Sequence, residues 1–101
     1  MDWNSLNNAQ VLDEIGQRLK RQRINKKLTQ QQLAVMAGVS MFTVAQIEKG
    51  NSVSLSMLIA VLRILRLLDN LDLLFTETII SPVAMLKQKR KVVQRVRPKK
   101  E

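Results

Sequence analysis

The sequence predicts an all-α fold from its composition, its helix-start signals and the spacing of its apolar residues. Apolar residues make up 46% of the 101 residues and aromatic residues only 3%, so the core must be aliphatic, and such a composition favours helices. Residues typical of helix N-caps, Thr29, Ser40 and Ser54, precede three segments in which apolar residues recur every three or four positions. The length corresponds to about one domain.

The composition excludes several kinds of chemistry. The chain contains no cysteine and no histidine, which removes disulfides, thiolate metal sites, cysteine nucleophiles and imidazole acid–base catalysis. The nearest approach to a carboxylate cluster, Asp69 and Asp72, lies among leucines, as expected for helix capping. We therefore expect a protein that is not an enzyme and holds no metal and no cofactor. No leader segment and no run of ~20 apolar residues is recognisable, so we expect a cytoplasmic protein with no membrane partner.

Positive charge is concentrated in two segments. The net charge is +9, with 17 basic and eight acidic residues. Residues 87–101 contain eight basic residues and one acidic residue, a net +7, which leaves +2 for residues 1–86. Six further basic residues fall within residues 18–27 without an acidic one. A charge of this sign and size points to a polyanion as partner.

The N-terminal third is predicted to contain an arm and one helix. Residues 1–12 are rich in Asn, Ser and Gln and form the arm, with Trp3 as its anchor. From residue 13 to about residue 25, Ile15 and Leu19 stand at helical spacing on an otherwise basic segment. This pattern predicts a surface helix with a narrow buried stripe.

Two short helices joined by a glycine turn are predicted next. Thr29 and Gln32 match a capping box that starts the first of them. Gly38 supplies the permissive backbone that ends this helix, and Ser40 caps its successor. The residues expected to face inward on the first of the two helices are Leu33, Met36 and Ala37.

The second helix of this pair has two distinguishable sides. Val44 and Ile47 lie at i and i+3 and define its buried side. A step of about 100° per residue then places Phe42, Gln46 and Lys49 on the outward side. The same step places Met41 nearer the buried edge, and Gly50 ends the helix.

The remaining residues are predicted to form two further helices and a basic extension. Ser54 caps a fourth helix with a broad apolar face, and a short fifth helix covers about residues 69–75. Together they carry more aliphatic surface than a small monomer hides, which indicates a homodimer. In the extension, residues 76–101, Ser81 and Pro82 signal a helix start, whereas Val92, Val93 and Val96 fit either an amphipathic turn or an edge strand. The end of the extension is predicted to be disordered.

Residues 28–50, "LTQQQLAVMAGVSMFTVAQIEKG", resemble the signature of the Cro/C1-type (XRE) helix-turn-helix transcriptional regulator family. Residues 13–75 are similar to that family's five-helix, lambda-repressor-like DNA-binding domain. In such domains the second helix of the pair, the recognition helix, enters the major groove. The positions that match the family pattern are Thr29, Gln30, Leu33, Ala34, Ala37, Gly38, Val39, Ser40, Thr43, Val44, Ile47, Glu48 and Gly50.

The resemblance implies a set of site residues on double-stranded DNA. The candidates for contact with bases are Gln30, Met41, Phe42 and Gln46, of which Gln30 is expected at either a base or the DNA backbone. The candidates for contact with phosphates are Lys26, Lys27, Ser40, Thr43, Lys49, Asn51 and Ser52. The family also pairs an Arg of the first helix with a Glu of the recognition helix, which corresponds to Arg23 and Glu48; the alternative for Arg23 is a phosphate contact. Phe42 and Met41 could instead pack against the protein itself.

A narrower resemblance concerns three features of the C-terminal part of the chain. Residues 66–75, "RLLDNLDLLF", the helix start at Ser81 and Pro82, and the basic tail look like the corresponding parts of HipB-type antitoxins. Such proteins are dimeric repressors of their own toxin–antitoxin operon and bind a HipA-type serine/threonine kinase. The resemblance therefore implies a repressor of a palindromic operator, associated with the nucleoid when bound. The alternatives are a stand-alone XRE-family regulator and a protein-interaction adaptor with a vestigial DNA face. The tail itself fits a solvated segment, a DNA clamp or a docking segment.

Overall fold

The computed structural model describes residues 1–76, and this part of the chain is helical without strands. The five α-helices are α1 (Asn8–Asn25), α2 (Gln30–Ala37), α3 (Met41–Glu48), α4 (Leu55–Ile64) and α5 (Leu71–Leu74), with 3₁₀ turns at Trp3–Ser5 and Leu68–Asn70. The all-α, five-helix prediction is therefore confirmed. None of the helices in residues 1–76 is both long enough and apolar enough to cross a bilayer.

The chain divides into two compact units. Residues 1–71 form one compact unit, and a second unit begins at Asp72. Within the described part of the second unit, the Thr76 hydroxyl donates to the carbonyl oxygens of Asp72 and Leu73, at 2.8 and 2.9 Å. The predictions for Ser81, Pro82, the three valines and the basic tail lie outside the described residues.

Helix α1 begins five residues earlier than predicted, inside the segment expected to be an arm. Asn7 and Gln10 form a reciprocal capping box: the Asn7 side chain accepts from the Gln10 amide at 2.8 Å, and the Gln10 side chain accepts from the Asn7 amide at 2.9 Å. An Asn at the N-cap is as effective as Ser or Thr. Before it, the Trp3 ring lies 4.8 Å from the Arg18 guanidinium, which holds the first turn against α1.

The predicted helix starts and stops around α2, α3 and α4 are all present. The Thr29 hydroxyl accepts from the Gln32 amide at 3.0 Å, and the Gln32 side chain accepts from the Thr29 amide at 2.9 Å. Gly38 ends α2 at φ +73°, a left-handed conformation that favours glycine. Ser54 caps α4 by accepting from the Met57 amide at 3.2 Å. These caps fix the length of each helix from neighbouring residues alone.

The core of the first unit is aliphatic. Its buried apolar residues come from α1, α2, α3, α4 and the residue after α4; they are Leu19, Leu33, Ala34, Val44, Ile47, Val61 and Leu65. The prediction that Met36 faces inward is wrong, because its side chain is 55% exposed. The buried side of α2 is centred between Leu33, Ala34 and Ala37, and Met36 lies about 100° away from that centre.

Helices α1 and α3 approach each other at backbone distance. A Cβ at Gly16 would overlap the Ile47 carbonyl oxygen and lie 3.0 Å from that of Glu48. Three residues earlier on α1, Asp13 packs against Gly50, where a Cβ would lie 2.9 Å from the Asp13 Cα. These two contacts fix the end of α3 against α1.

Candidate nucleic-acid interface

The connection between α2 and α3 is a tight glycine turn. The Val39 amide donates to the Ala34 carbonyl at 3.0 Å, and the Gly38 amide donates to the Val35 carbonyl at 3.3 Å. These bonds satisfy carbonyls at the end of α2, as is usual where a helix ends in a left-handed residue. Only Gly38, Val39 and Ser40 separate the two helices. Their arrangement is that of a helix-turn-helix.

Helix α3 presents one buried and one outward side. Val44 and Ile47 are buried as predicted. Phe42 is 70% exposed, Lys49 is exposed and Gln46 is partly exposed. Phe42 therefore does not pack into the first unit.

Met41 lies outward, contrary to the helical-wheel prediction that it leans toward the core. Its side chain is 49% exposed. Met41 is the first residue of α3 and therefore has no preceding helical turn to cover it. It joins Phe42 on the exposed start of the helix, where the family resemblance had placed it.

The predicted phosphate contact of the Thr43 side chain does not fit its burial. Only 7% of Thr43 is exposed, and its hydroxyl lies 3.0 Å from the Ser40 hydroxyl and 3.8 Å from the Met57 sulfur. Ser40 is exposed, but its oxygen accepts from the Thr43 amide at 3.0 Å and is engaged in capping α3. Both hydroxyls therefore stabilise the start of the recognition helix from within.

The other phosphate candidates are accessible. Lys26, Lys27, Lys49, Asn51 and Ser52 are all exposed. Asn51 follows α3 in a turn in which its amide donates to the Gln46 carbonyl at 2.9 Å. Lys49, Asn51 and Ser52 thus continue the surface of α3 directly, whereas Lys26 and Lys27 lie in the connection between α1 and α2.

A buried ion pair connects two helices, α1 and α3, with the segment that follows α1. The Arg23 guanidinium donates to the two Glu48 carboxylate oxygens at 2.7 and 3.1 Å and to the Leu28 carbonyl at 2.7 Å. Arg23 is 9% exposed. The alternative of a phosphate contact for Arg23 does not fit this burial. The pair ties the end of α1, the connection after it and the end of α3 together.

Gln30, the remaining candidate for contact with a base, forms a hydrogen bond to the buried ion pair and with it makes up the Arg23–Glu48–Gln30 cluster. Its side-chain nitrogen donates to Glu48 Oε1 at 3.0 Å, and the residue is partly exposed. Sequence reasoning assigned Gln30 and Glu48 separate roles and did not foresee this bond. The sequence analysis also assigned no role to Gly16, although a glycine inside a helical pattern can indicate a close packing contact.

No metal centre is formed by the described residues. In residues 1–76 no group of three or more Asp, Glu, His or Cys side chains lies close enough to hold an ion. Among the exposed phosphate candidates around α3, the charged ones are Lys26, Lys27 and Lys49. The surface is therefore suited to a polyanion.

The fold and this surface define a DNA-binding helix-turn-helix domain. A comparison with protein-family models gives the same answer, since the family HTH_3, Helix-turn-helix, matches residues 19–68, about half of the chain. Residues 19–68 therefore form a helix-turn-helix domain of the XRE type, and the chain is a DNA-binding transcription regulator. A search of curated proteins gives no match.

Proposed function

We propose that the protein is a sequence-specific transcriptional repressor that binds a palindromic operator as a homodimer. The observation that carries this proposal is the exposed start of α3, where Phe42 stands 70% exposed on the outward side of the recognition helix. Its neighbour Met41 is 49% exposed, so the start of α3 presents two adjacent apolar side chains to water. Contiguous exposed apolar surface is a feature of interaction sites. The major groove of DNA is wide enough to admit an α-helix, and there the base edges would cover the apolar side chains at the start of α3.

The outward residues match groups on base edges. Phe42 offers apolar contact to thymine methyl groups, and the Gln46 amide suits adenine, whose N6 donates and whose N7 accepts. Lys49, Asn51 and Ser52 are exposed and follow on the same surface, and we expect them to contact phosphates. Those contacts set the position and the salt dependence of binding without reading sequence.

The contact between Phe42 and thymine can be tested without changing any hydrogen bond. The operator is first selected from a library of random duplexes, and each thymine near its half-site centres is then replaced with deoxyuridine, which lacks the methyl group. At the thymine that Phe42 covers, loss of one buried methyl should weaken binding by about 0.8 kcal/mol, or about fourfold, in fluorescence anisotropy. Phe42→Ala should bind the two duplexes equally.

Gln31→Ala is the matched control, because Gln31 is exposed on α2 and carries no proposed contact. This variant should remain sensitive to deoxyuridine, as the wild type is. If no thymine position shows a methyl effect that disappears in Phe42→Ala, the proposed apolar readout is wrong. If library selection yields no preferred sequence at all, sequence-specific repression is wrong.

The proposed homodimer has a geometric consequence for the operator. Two copies of α3 related by a two-fold axis should contact half-sites about one helical turn apart, roughly 10 base pairs from centre to centre. Sedimentation equilibrium of the full chain should give twice the monomer mass of 11.6 kDa. A monomer at micromolar concentration with a non-palindromic selected site would contradict the dimer.

The more specific role that we propose is that of a HipB-like antitoxin that represses its own operon and binds a HipA-type kinase. It is supported by the resemblance of residues 66–75 and by the basic residues 87–101, which have a net charge of +7. The test is co-expression with the product of the adjacent gene, followed by affinity purification. Failure of the two proteins to associate would favour a stand-alone regulator, whereas association without operator binding would favour the adaptor with a vestigial DNA face.

A further inference from the structure

Glu48 is the acceptor for three hydrogen bonds from two different side chains. Arg23 donates to both of its carboxylate oxygens, and the Gln30 side-chain nitrogen donates to Oε1 at 3.0 Å. The Glu48 side chain is only 6% exposed, so this carboxylate is held inside the protein. Gln30, at the first position of α2, is partly exposed. It is therefore the member of the cluster that connects the buried carboxylate with the surface.

The carboxylate fixes which end of the Gln30 amide points inward. An ionised carboxylate only accepts hydrogen bonds, so the amide must turn its NH₂ group toward Glu48 and its oxygen away. Within residues 1–76 the Gln30 oxygen receives no hydrogen bond, and no buried side-chain oxygen or nitrogen lacks a partner. The Gln30 oxygen therefore reaches the surface. A planar amide carries one N–H on the same side as its oxygen, and this N–H is left to donate beside the oxygen when the other N–H bonds Glu48.

We propose that Glu48 orients the Gln30 amide so that Gln30 reads an adenine of the operator. An acceptor and one donor side by side are complementary to the major-groove edge of adenine, whose N6 amino group donates and whose N7 accepts. Guanine presents two acceptors, O6 and N7, and would face the Gln30 oxygen unfavourably. A phosphate also presents acceptors only. Glu48 is thus a positioning residue, and the inference rests on the proposed function of α2 and α3 in operator binding.

The variant Glu48→Gln tests the orientation itself. In that variant the shorter of the two Arg23 bonds, 2.7 Å from Nε to the Oε2 position, should hold the oxygen of residue 48. Its NH₂ group then takes the Oε1 position, where it gives up the 3.1 Å bond from Arg23 and faces Gln30. Gln30 must then turn its own oxygen inward and present two N–H donors outward, which match guanine O6 and N7. The base preferred at one purine position should change from adenine to guanine although Gln30 is unchanged.

The measurement is selection from a library of random DNA duplexes by the full-length wild-type protein and by each variant, at a temperature where circular dichroism shows each to be folded. The wild type should prefer adenine over guanine at one purine of each half-site by roughly 5- to 150-fold. Gln30→Ala, which leaves the Arg23–Glu48 pair in place, should lose the preference at that purine only. Gln31→Ala, the exposed neighbour, should keep the wild-type preference.

Several outcomes would overturn the proposal. If Gln30→Ala weakens binding to all sequences equally, Gln30 contacts a phosphate and reads no base. If the preference that Gln30→Ala removes is for guanine, the amide is oriented the other way. A folded Glu48→Gln variant that keeps the adenine preference would show that Glu48 does not position Gln30. A wild type without any sequence preference would instead refute the proposed function.

Discussion

Replacing Gly16 with alanine should change the free energy of unfolding through two opposing effects. Alanine in a helix interior is favoured over glycine by about 1 kcal/mol. Against this, the new Cβ would overlap the Ile47 carbonyl oxygen and lie 3.0 Å from the Glu48 carbonyl oxygen. Relief requires one helix to move by about 1 Å, because ordinary contacts begin near 3.5 Å. Both clashing atoms belong to the backbone, so no side chain can rotate away.

The clash should decide the sign of the effect. Overpacking typically costs about 1–3 kcal/mol, and a clash between two backbones, which no side chain can relieve, should lie at the upper end, about 3 kcal/mol. Subtracting the gain in helix propensity of about 1 kcal/mol leaves a net destabilisation of about 2 kcal/mol. In a domain of this size, that corresponds to a fall in Tm of about 8–16 °C. Urea unfolding followed by circular dichroism at 222 nm should show a lower midpoint with an unchanged m value.

The matched control for Gly16→Ala is Gln17→Ala, the next position of α1, which is exposed. Its unfolding free energy should stay within about 0.5 kcal/mol of the wild type. An alanine at residue 16 that is as stable as the wild type, or more stable, would show that α1 and α3 can separate freely. The close approach at Gly16 would then not be what positions α3.

Two further substitutions separate reading from positioning. Gln46→Ala should weaken binding to the selected operator by about 1–3 kcal/mol and to random DNA hardly at all; an equal loss on both would mean that Gln46 reads no base. Arg23→Ala should lower the unfolding free energy by about 3–5 kcal/mol, because it leaves Glu48 buried without its charged partner. In the same urea titration Lys20→Ala, an exposed change on the same helix, should have little effect, and a loss of under about 1 kcal/mol for Arg23→Ala would contradict a buried pair.

The features that could be predicted from the sequence are those set by neighbouring residues. The capping box of Thr29 and Gln32, the left-handed turn at Gly38 and the caps at Ser40 and Ser54 each depend on residues within three or four positions. Such signals determine where a helix begins and ends, whatever it packs against. The early start of α1 belongs to the same class, since Asn7 and Gln10 are a capping box that uses Asn in place of Ser or Thr.

The features that could not be predicted depend on contacts between distant parts of the chain. In helices of eight residues a wheel leaves the edge of the buried side uncertain, and Met36, Met41 and Thr43 lie at such edges. The hydrogen bond between Gln30 and Glu48 joins residues that are 18 positions apart. Gln30 is the donor because the Glu48 carboxylate, which is paired with Arg23, only accepts hydrogen bonds. Neither spacing nor composition contains that information.

The residues that position α3 and those proposed to read bases lie on opposite sides of this short helix. Val44, Ile47 and Glu48 hold α3 against the rest of the first unit, while Phe42 and Gln46 face outward. Changes on the outward side should therefore alter operator preference with little loss of stability, and changes on the inner side should do the reverse. Glu48 is the proposed exception, because a single carboxylate both completes the buried ion pair and sets the Gln30 amide. A substitution there that preserves folding would change the sequence that is read without altering any residue that touches DNA.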